Sequence, residues 1–229
     1  MRLDGAPFWQ RLPAALAYPA RPPALWVVFG LAAVGAVSYR PGPWGGILQV
    51  ALFILLLRYA YAAMLRAAAG RDDPPAISLR LFNSDLEMAL KQFGVIILFA
   101  MLYSIGVRLL GAAGGVVVLA VANLAAPATA MVIALENSFL RAVNPLLLWT
   151  LVRRIGTAYL VLCLLLAALW LLAQLSFDLL SAFQHHGLQL FFYDLCAMYF
   201  LLAMAYLMGC ALWQYRERLA LDWEHASAP

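Results

Sequence analysis

The sequence predicts an all-α membrane protein, a polytopic bundle of about six transmembrane helices with both chain ends in the cytoplasm. Of its 229 residues, 66% are hydrophobic and 11% are charged, whereas a soluble domain is usually about half apolar. The basic residues lie between long apolar runs, and this arrangement predicts the topology. Once the apolar runs are subtracted, too little chain remains for a soluble core, so we expect one membrane domain over residues 1–229.

Six apolar runs come close to or exceed the roughly 20 residues that a membrane helix needs. None alternates polar and apolar residues in the manner of an outer-membrane barrel strand. The first run opens at Pro22-Pro23, and proline suits a first helical turn because the N–H that it lacks would have no partner there. The predicted spans are approximately 22–39, 44–65, 88–110, 115–135, 155–177 and 188–215, with 1–21 as a cytoplasmic or interfacial lead and 216–229 as a cytoplasmic tail.

The distribution of cations favours six spans over five or seven. With six spans, thirteen of the 15 Lys and Arg residues fall on one side, and only Arg40 and Arg108 fall on the other. Five or seven spans would place a segment with several arginines outside, against the positive-inside rule. Because the composition is rich in Arg, Ala and Leu, we expect a bacterial protein, multi-pass in the inner (cytoplasmic) membrane, with an uncleaved first helix.

Two segments outside the spans are predicted to lie along the membrane surface. In the N-terminal lead, Phe8, Leu12 and Leu16 follow a helical period and predict a short interfacial helix. The apolar stretch 137–152 is too short for a further span, and Asn144-Pro145 should break it. Because cations near an anionic bilayer surface are stabilising, we hypothesise that one group of cations contacts lipid headgroups or a partner protein. This group is Arg141, Arg153 and Arg154.

The longest connection, 66–91, carries charges that a structural role explains. Ser84 and Glu87 have the spacing of a capping box, and Glu87 with Lys91 forms a favourable i,i+4 pair. Asp72 and Asp73 lack further carboxylates at helical spacing, so a divalent-cation site for phosphate chemistry is not expected here.

Polar residues inside predicted spans are the usual functional candidates in a membrane protein. We expect Gln49 and Asn123 to bond across helices, Arg58 to extend its side chain to the headgroups, and Pro127 to kink the fourth span. An alternative keeps Gln49, Asn123 and Pro127 as the lining of a transport path between kinked helices.

The fifth connection offers a second group of polar candidates on the extracytoplasmic side, namely Asp178, His185, His186 and Asp194. Adjacent histidines point in different directions on a helix, and a third ligand at metal-like spacing is missing, so neither a metal nor another cofactor is expected. Clustering of these four around a pocket would favour a membrane enzyme that acts on lipid headgroups. The three cysteines, within apolar runs, are interpreted as buried hydrophobes.

The leading functional hypothesis is a non-enzymatic membrane protein that binds membrane lipids or other membrane proteins. Walker, dinucleotide, His-Glu-x-x-His and Gly-x-Ser-x-Gly motifs are missing from the sequence. The cations lie at the edges of spans rather than on one face, which argues against nucleic acid as a partner. A small transporter or permease subunit is the second hypothesis, and the headgroup enzyme is the third.

Three groups of residues resemble uncharacterised bacterial polytopic inner-membrane families that are loosely related to Yip-type membrane proteins. They are Phe8-Trp9 with Tyr18-Pro19, Tyr59 with Gly70 and Pro74-Pro75, and Glu136 with Ala142-Val143-Asn144-Pro145. The resemblance covers most of the chain. It implies a compact helical membrane domain and supplies no catalytic residues.

Overall fold

The computed structural model describes residues 7–38, 42–76, 86–180 and 186–219, and these residues form helices and connecting turns without a β-strand. The N-terminal segment, Phe8–Ala20, consists of short helical turns. The helices that follow are α1 (Ala24–Ser38), α2 (Pro43–Ala68), the long element Leu86–Glu136, α5 (Pro145–Ile155), α6 (Thr157–Leu180) and α7 (His186–Gln214). This confirms the predicted fold class, an all-α bundle of long apolar helices.

The 51-residue element Leu86–Glu136 is a helical hairpin, because Gly111 interrupts it with φ 65° and ψ −156°. We name its arms α3 (86–110) and α4 (112–136). The positive φ suits glycine, which has no Cβ to clash there. Near the turn, the backbones of Gly106 and Gly114 approach so closely that a Cβ on Gly114 would collide with the Gly106 carbonyl. The turn falls in the gap between the predicted third and fourth spans.

Four helices are long and apolar enough to cross a membrane: α2, the Leu86–Glu136 element, α6 and α7. The N-terminal segment and α1 pass the same test as a pair, bent by 59°. The hairpin doubles back at Gly111, and the predicted topology counts its two arms as two spans. The helices thus accommodate the six predicted spans, whose number and orientation stay predictions.

The helix ends that carry most of the described cations meet at one end of the bundle, which we call the basic end. Here Arg66 of α2 pairs with Asp73, and Arg154 at the end of α5 donates to the carbonyl of Leu219. Lys91 at the start of α3 donates to Asn137, just after α4. The predicted topology makes this end cytoplasmic.

The N-terminal segment packs against α7. Phe8 and Tyr18 are 0% and 1% exposed, and the Phe8 amide donates to Gln214 Oε1 at 2.7 Å. The Tyr199 hydroxyl donates to the Leu16 carbonyl further along α7. Phe8 thus faces protein, whereas Leu12 and Leu16 are half-buried. That the segment lies along the membrane surface stays a prediction.

The stretch after α4 breaks where the sequence predicts. A single turn, Phe139–Ala142, ends before Asn144, whose Oδ1 accepts the Leu146 amide at 3.0 Å and caps α5. Pro145 occupies the first turn of α5, where no N–H is needed. Leu151 and Ile155 of α5 are buried against the bundle, while Leu146 and Trp149 are exposed.

Candidate functional site: a lateral cavity near the basic end

A cavity of about 760 Å³ lies between α2, α3, α4, α6 and α7. Its inner wall is buried and comes from α2 and α7, with Leu57, Ala60 and Ala205 among its residues. Its other side opens between α4 and α6, since the lining residues Leu124 and Leu164 are 52% and 70% exposed. The opening therefore faces the surroundings of the bundle laterally, which for a membrane helix bundle means the lipid.

The cavity occupies the half of the bundle nearer the basic end. On α2 its lining runs from Phe53 to Met64, and on α6 from Leu160 to Leu171. At 1.5 Å per residue each run is about 16 Å long. One leaflet of a bilayer has a hydrocarbon depth of about 15 Å, half of the 30 Å core. The cavity is thus about as long as one leaflet is deep.

Pro127 interrupts the backbone hydrogen bonds of α4 beside the cavity, which it also lines. Proline has no N–H, so the carbonyl of Asn123 loses its helical donor. The Tyr159 hydroxyl of α6 enters the ladder beside the break, accepting from the Ala128 amide at 3.1 Å and donating to the Leu124 carbonyl at 2.6 Å. An inserted side chain of this kind is a recognised cause of helix kinks. Tyr159 therefore joins α6 to α4 beside the cavity, a role that the sequence did not indicate.

Two amide side chains line an otherwise apolar wall. Asn123 was expected to bond across helices, but its Nδ2 donates to the Leu119 carbonyl of its own helix at 2.8 Å. Gln92 accepts the Tyr61 hydroxyl on its Oε1 at 2.7 Å, a bond that ties α2 to α3. Asn123 and Pro127, both sequence candidates, thus lie at the cavity, whereas Gln92 was missed because a lone glutamine near a span end gives no distinctive signal.

A network of charged and polar groups closes the base of the hairpin next to Gln92. Lys91 pairs with Glu87 at 2.6 Å, as the sequence predicts, and also donates to Asn137. Asn137 in turn donates from Nδ2 to Glu87 Oε2 at 3.2 Å. The hydrogen bond from Lys91, helped by that from Asn137 and by the Lys91 charge, lowers the pKa of Glu87 below its usual value. Ser84, the other half of the predicted capping box, lies outside the described residues.

The remaining intramembrane candidates do not line the cavity. Gln49 donates to the Gly35 carbonyl at 2.9 Å and so bridges α2 and α1, as expected. Because Gln49 lies elsewhere, the structure does not bring together the three residues of the predicted transport path.

Arg58 is 6% exposed, so the expectation that it extends outward to the headgroups is wrong. Its side chain is buried within the bundle, and the number of residues between Arg58 and the end of its span could not indicate this.

The extracytoplasmic candidates do not form a described site. Asp194 Oδ2 lies against the backbone of Gly35 in α1, whereas Asp178 is exposed near the end of α6. His185 and the side chain of His186 lie outside the described residues. Within the described ranges, no group of three His, Cys, Asp or Glu side chains could hold a metal ion, and Cys163, Cys196 and Cys210 are free thiols.

A second polar cluster, the Asp72 cluster, consists of Arg21, Asp72, Tyr18 and Tyr206. Arg21 Nη1 lies 3.0 Å from Asp72 Oδ2, and the Tyr206 hydroxyl donates to Asp72 Oδ1. The Tyr18 and Tyr206 rings stack with centroids 4.4 Å apart. The cluster joins the N-terminal segment, the connection after α2 and α7, so Asp72 has the structural use that the sequence favoured.

The predicted headgroup cations all lie near the basic end but outside the cavity lining. Arg141 pairs with Glu136 at 2.8 Å. Arg154 donates to the Leu219 carbonyl and forms no ion pair within the described residues. Arg153 is exposed and makes no ion pair with the described part of the chain.

The fold and cavity define a helical membrane protein with a laterally open apolar site. Comparisons with protein-family models, with curated proteins and with solved structures return no match to the chain. The resemblance to Yip-type families stays a prediction.

Proposed function

We propose that this protein is a non-catalytic bacterial inner-membrane protein that binds a membrane lipid, with one hydrocarbon chain of the lipid in the lateral cavity. The observation that carries the proposal is a cavity of about 760 Å³ with an apolar lining, open between α4 and α6. This volume lies within the range of about 300–1,000 Å³ typical of ligand sites. The opening faces the hydrocarbon region of the bilayer, so a lipid chain can enter the cavity directly from the membrane.

The dimensions of the cavity support a chain from the cytoplasmic leaflet. The cavity runs about 16 Å along the helices from near the basic end, which matches the depth of one leaflet. A chain entering between Leu124 and Leu164 would exchange contacts with other chains for contacts with Leu57 and Ala205. Because lipid tails are as apolar as leucine, this exchange alone gives little affinity, so selectivity has to come from polar groups.

The proposal is tested by filling the cavity. Ala130 lines it, whereas Ala120 is exposed on the same helix, α4, outside the lining. Native mass spectrometry of the protein purified in mild detergent should show one retained lipid for the wild type and for A120F, and loss of that lipid for A130F. A second filling variant, A167F, alters an exposed lining position where a larger side chain is easier to accommodate. Wild type without lipid, or folded filling variants that retain it, would overturn the proposal.

The headgroup hypothesis concerns α5 and is separate from the cavity. Leu146, Trp149 and Arg153 share one exposed face at i, i+3 and i+7. An apolar and aromatic face with a cation suits the headgroup layer of an anionic membrane. We propose that this face contacts anionic lipid. Each basic residue near such a surface contributes about 1 kcal/mol, so R153Q should reduce the enrichment of anionic lipid around the protein about fivefold. R108Q, which removes an exposed cation at the opposite end of the bundle, serves as the charge-matched control.

A further inference from the structure

The amide nitrogen of Gln92, a half-buried side chain, is a hydrogen-bond donor at the cavity. Tyr61, 5% exposed, donates its hydroxyl to Gln92 Oε1 and so fixes which end of the amide faces it. The Nε2 group carries two N–H donors, and within the described chain no acceptor contacts it. A donor left unpaired in an apolar setting is costly, so the cavity wall is complementary to a ligand with an acceptor at this position.

The depth of Gln92 corresponds to the level at which lipid chains carry their carbonyl groups. Gln92 lies six residues after the start of α3 at Leu86, which is about 9 Å along the helix. Each interfacial layer of a bilayer is about 5–8 Å thick outside the hydrocarbon core. The predicted topology, with Glu87 and Lys91 in that layer, therefore places Gln92 just inside the hydrocarbon boundary, where an acyl chain joins its headgroup.

We propose that the lipid bound by the lateral cavity is an acyl ester lipid of the cytoplasmic leaflet, whose carbonyl oxygen accepts a hydrogen bond from Gln92 Nε2. This inference rests on the proposed function, since it names the class of lipid that the cavity takes. The deeper wall, with Phe53 and Leu171, surrounds the chain. Lipids joined through ether bonds have the same chain and headgroup but no carbonyl oxygen, so they are the matched probe.

The experiment offers purified protein equal amounts of an ester phospholipid and its ether analogue with the same chains and headgroup. Native mass spectrometry resolves the two bound species by mass. Wild type should favour the ester lipid about three- to tenfold, the range of one hydrogen bond in a membrane. Q92L should bind both equally, whereas Q174L, which alters a partly buried glutamine on α6 outside the lining, should keep the wild-type preference.

The outcomes separate this inference from the proposed function. Equal binding of ester and ether lipid by wild type, or an unchanged preference in Q92L, would overturn the role of Gln92 while leaving a chain-binding cavity. Failure of wild type to bind either lipid would overturn both. If Q92L does not fold, Y61F retains the glutamine but frees its amide to rotate, and the ester preference should then fall at least twofold; an unchanged preference in Y61F would contradict the proposal.

Discussion

Replacing Tyr159 by phenylalanine tests whether its hydroxyl maintains the joint between α4 and α6. The ring is 2% exposed and remains in Y159F, so packing is preserved. Only the hydroxyl is lost, together with its bonds to the Ala128 amide and the Leu124 carbonyl. The variant therefore removes both hydrogen bonds to α4 beside Pro127, together with the weaker contact of the hydroxyl with the Cys163 thiol on its own helix.

The expected loss of stability follows from those two bonds. Side-chain hydrogen bonds between membrane helices average about 0.6 kcal/mol and reach about 1.7 kcal/mol. The Tyr159 hydroxyl makes two such bonds, and both partners belong to a stretch of backbone that Pro127 already interrupts. Together the two bonds should contribute about 1–3 kcal/mol to the free energy of unfolding. Other groups of α4 cannot easily replace the lost hydrogen bonds, because the adjacent turn already lacks the N–H donor at position 127.

The assay is equilibrium unfolding in mixed detergent micelles, with Y103F as the control. Tyr103 is 45% exposed on α3, and its hydroxyl makes no described hydrogen bond, so Y103F should match the wild type. Hydrogen exchange at the Ala128 amide gives a local readout and should accelerate in Y159F. A Y159F protein within about 0.3 kcal/mol of the wild type, with unchanged exchange at Ala128, would refute the bridge, because the amide and carbonyl would then bond each other directly.

Three further predictions concern the framework around the cavity. D72N should destabilise the protein by about 1–3 kcal/mol in detergent unfolding, because the charged acceptor of Arg21 is lost. G114V should destabilise it by about 1–3 kcal/mol or more, since the added side chain forces the hairpin arms apart. The pKa of Glu87 is lowered, so its carboxylate stabilises the folded protein fully above the ordinary pKa of 4.5. This stabilisation is lost as the pH falls through the lowered pKa. The Tm of E87Q should therefore approach that of the wild type in acid, while the two differ near neutral pH, where Lys91 is paired.

Matched variants decide each of these outcomes. E217Q removes an exposed carboxylate without a described partner and should leave stability unchanged; equal effects of D72N and E217Q would contradict the role of the Asp72 cluster. G30A adds a methyl group where nothing lies within 4 Å, so a loss as large as that of G114V would argue against close hairpin contact. A constant difference between E87Q and wild type across the acid range would contradict the pH argument.

Local patterns in the sequence were sufficient to predict most of the helices. Gly111 has the residue type that a reversal with positive φ needs, and Asn144-Pro145 has the chemistry of a helix start, so both breaks were predictable from neighbouring residues. The class of protein likewise followed from composition, because bilayer solvent imposes long apolar runs.

The contacts that form the candidate site could not be predicted, because they join residues that are distant in the chain. Tyr159 meets Ala128, the residue after Pro127, across 31 residues, and Tyr206 meets Asp72 across 134. Whether a buried-looking segment such as Phe8–Ala20 faces protein or lipid depends on a partner helix, since both are apolar. A cavity depends on how closely several helices approach each other, and residue periodicity does not determine that spacing.

The packing of the N-terminal segment on α7 has a consequence for biosynthesis. Phe8 and Tyr18 emerge from the ribosome long before Gln214 and Tyr206, the residues that they contact. α2 likewise packs against α7 more than against any other helix. The N-terminal segment and α2 therefore lack their final neighbours until α7 has been synthesised. A chain truncated before α7 can insert its earlier helices but lacks the surface against which Phe8–Ala20 packs.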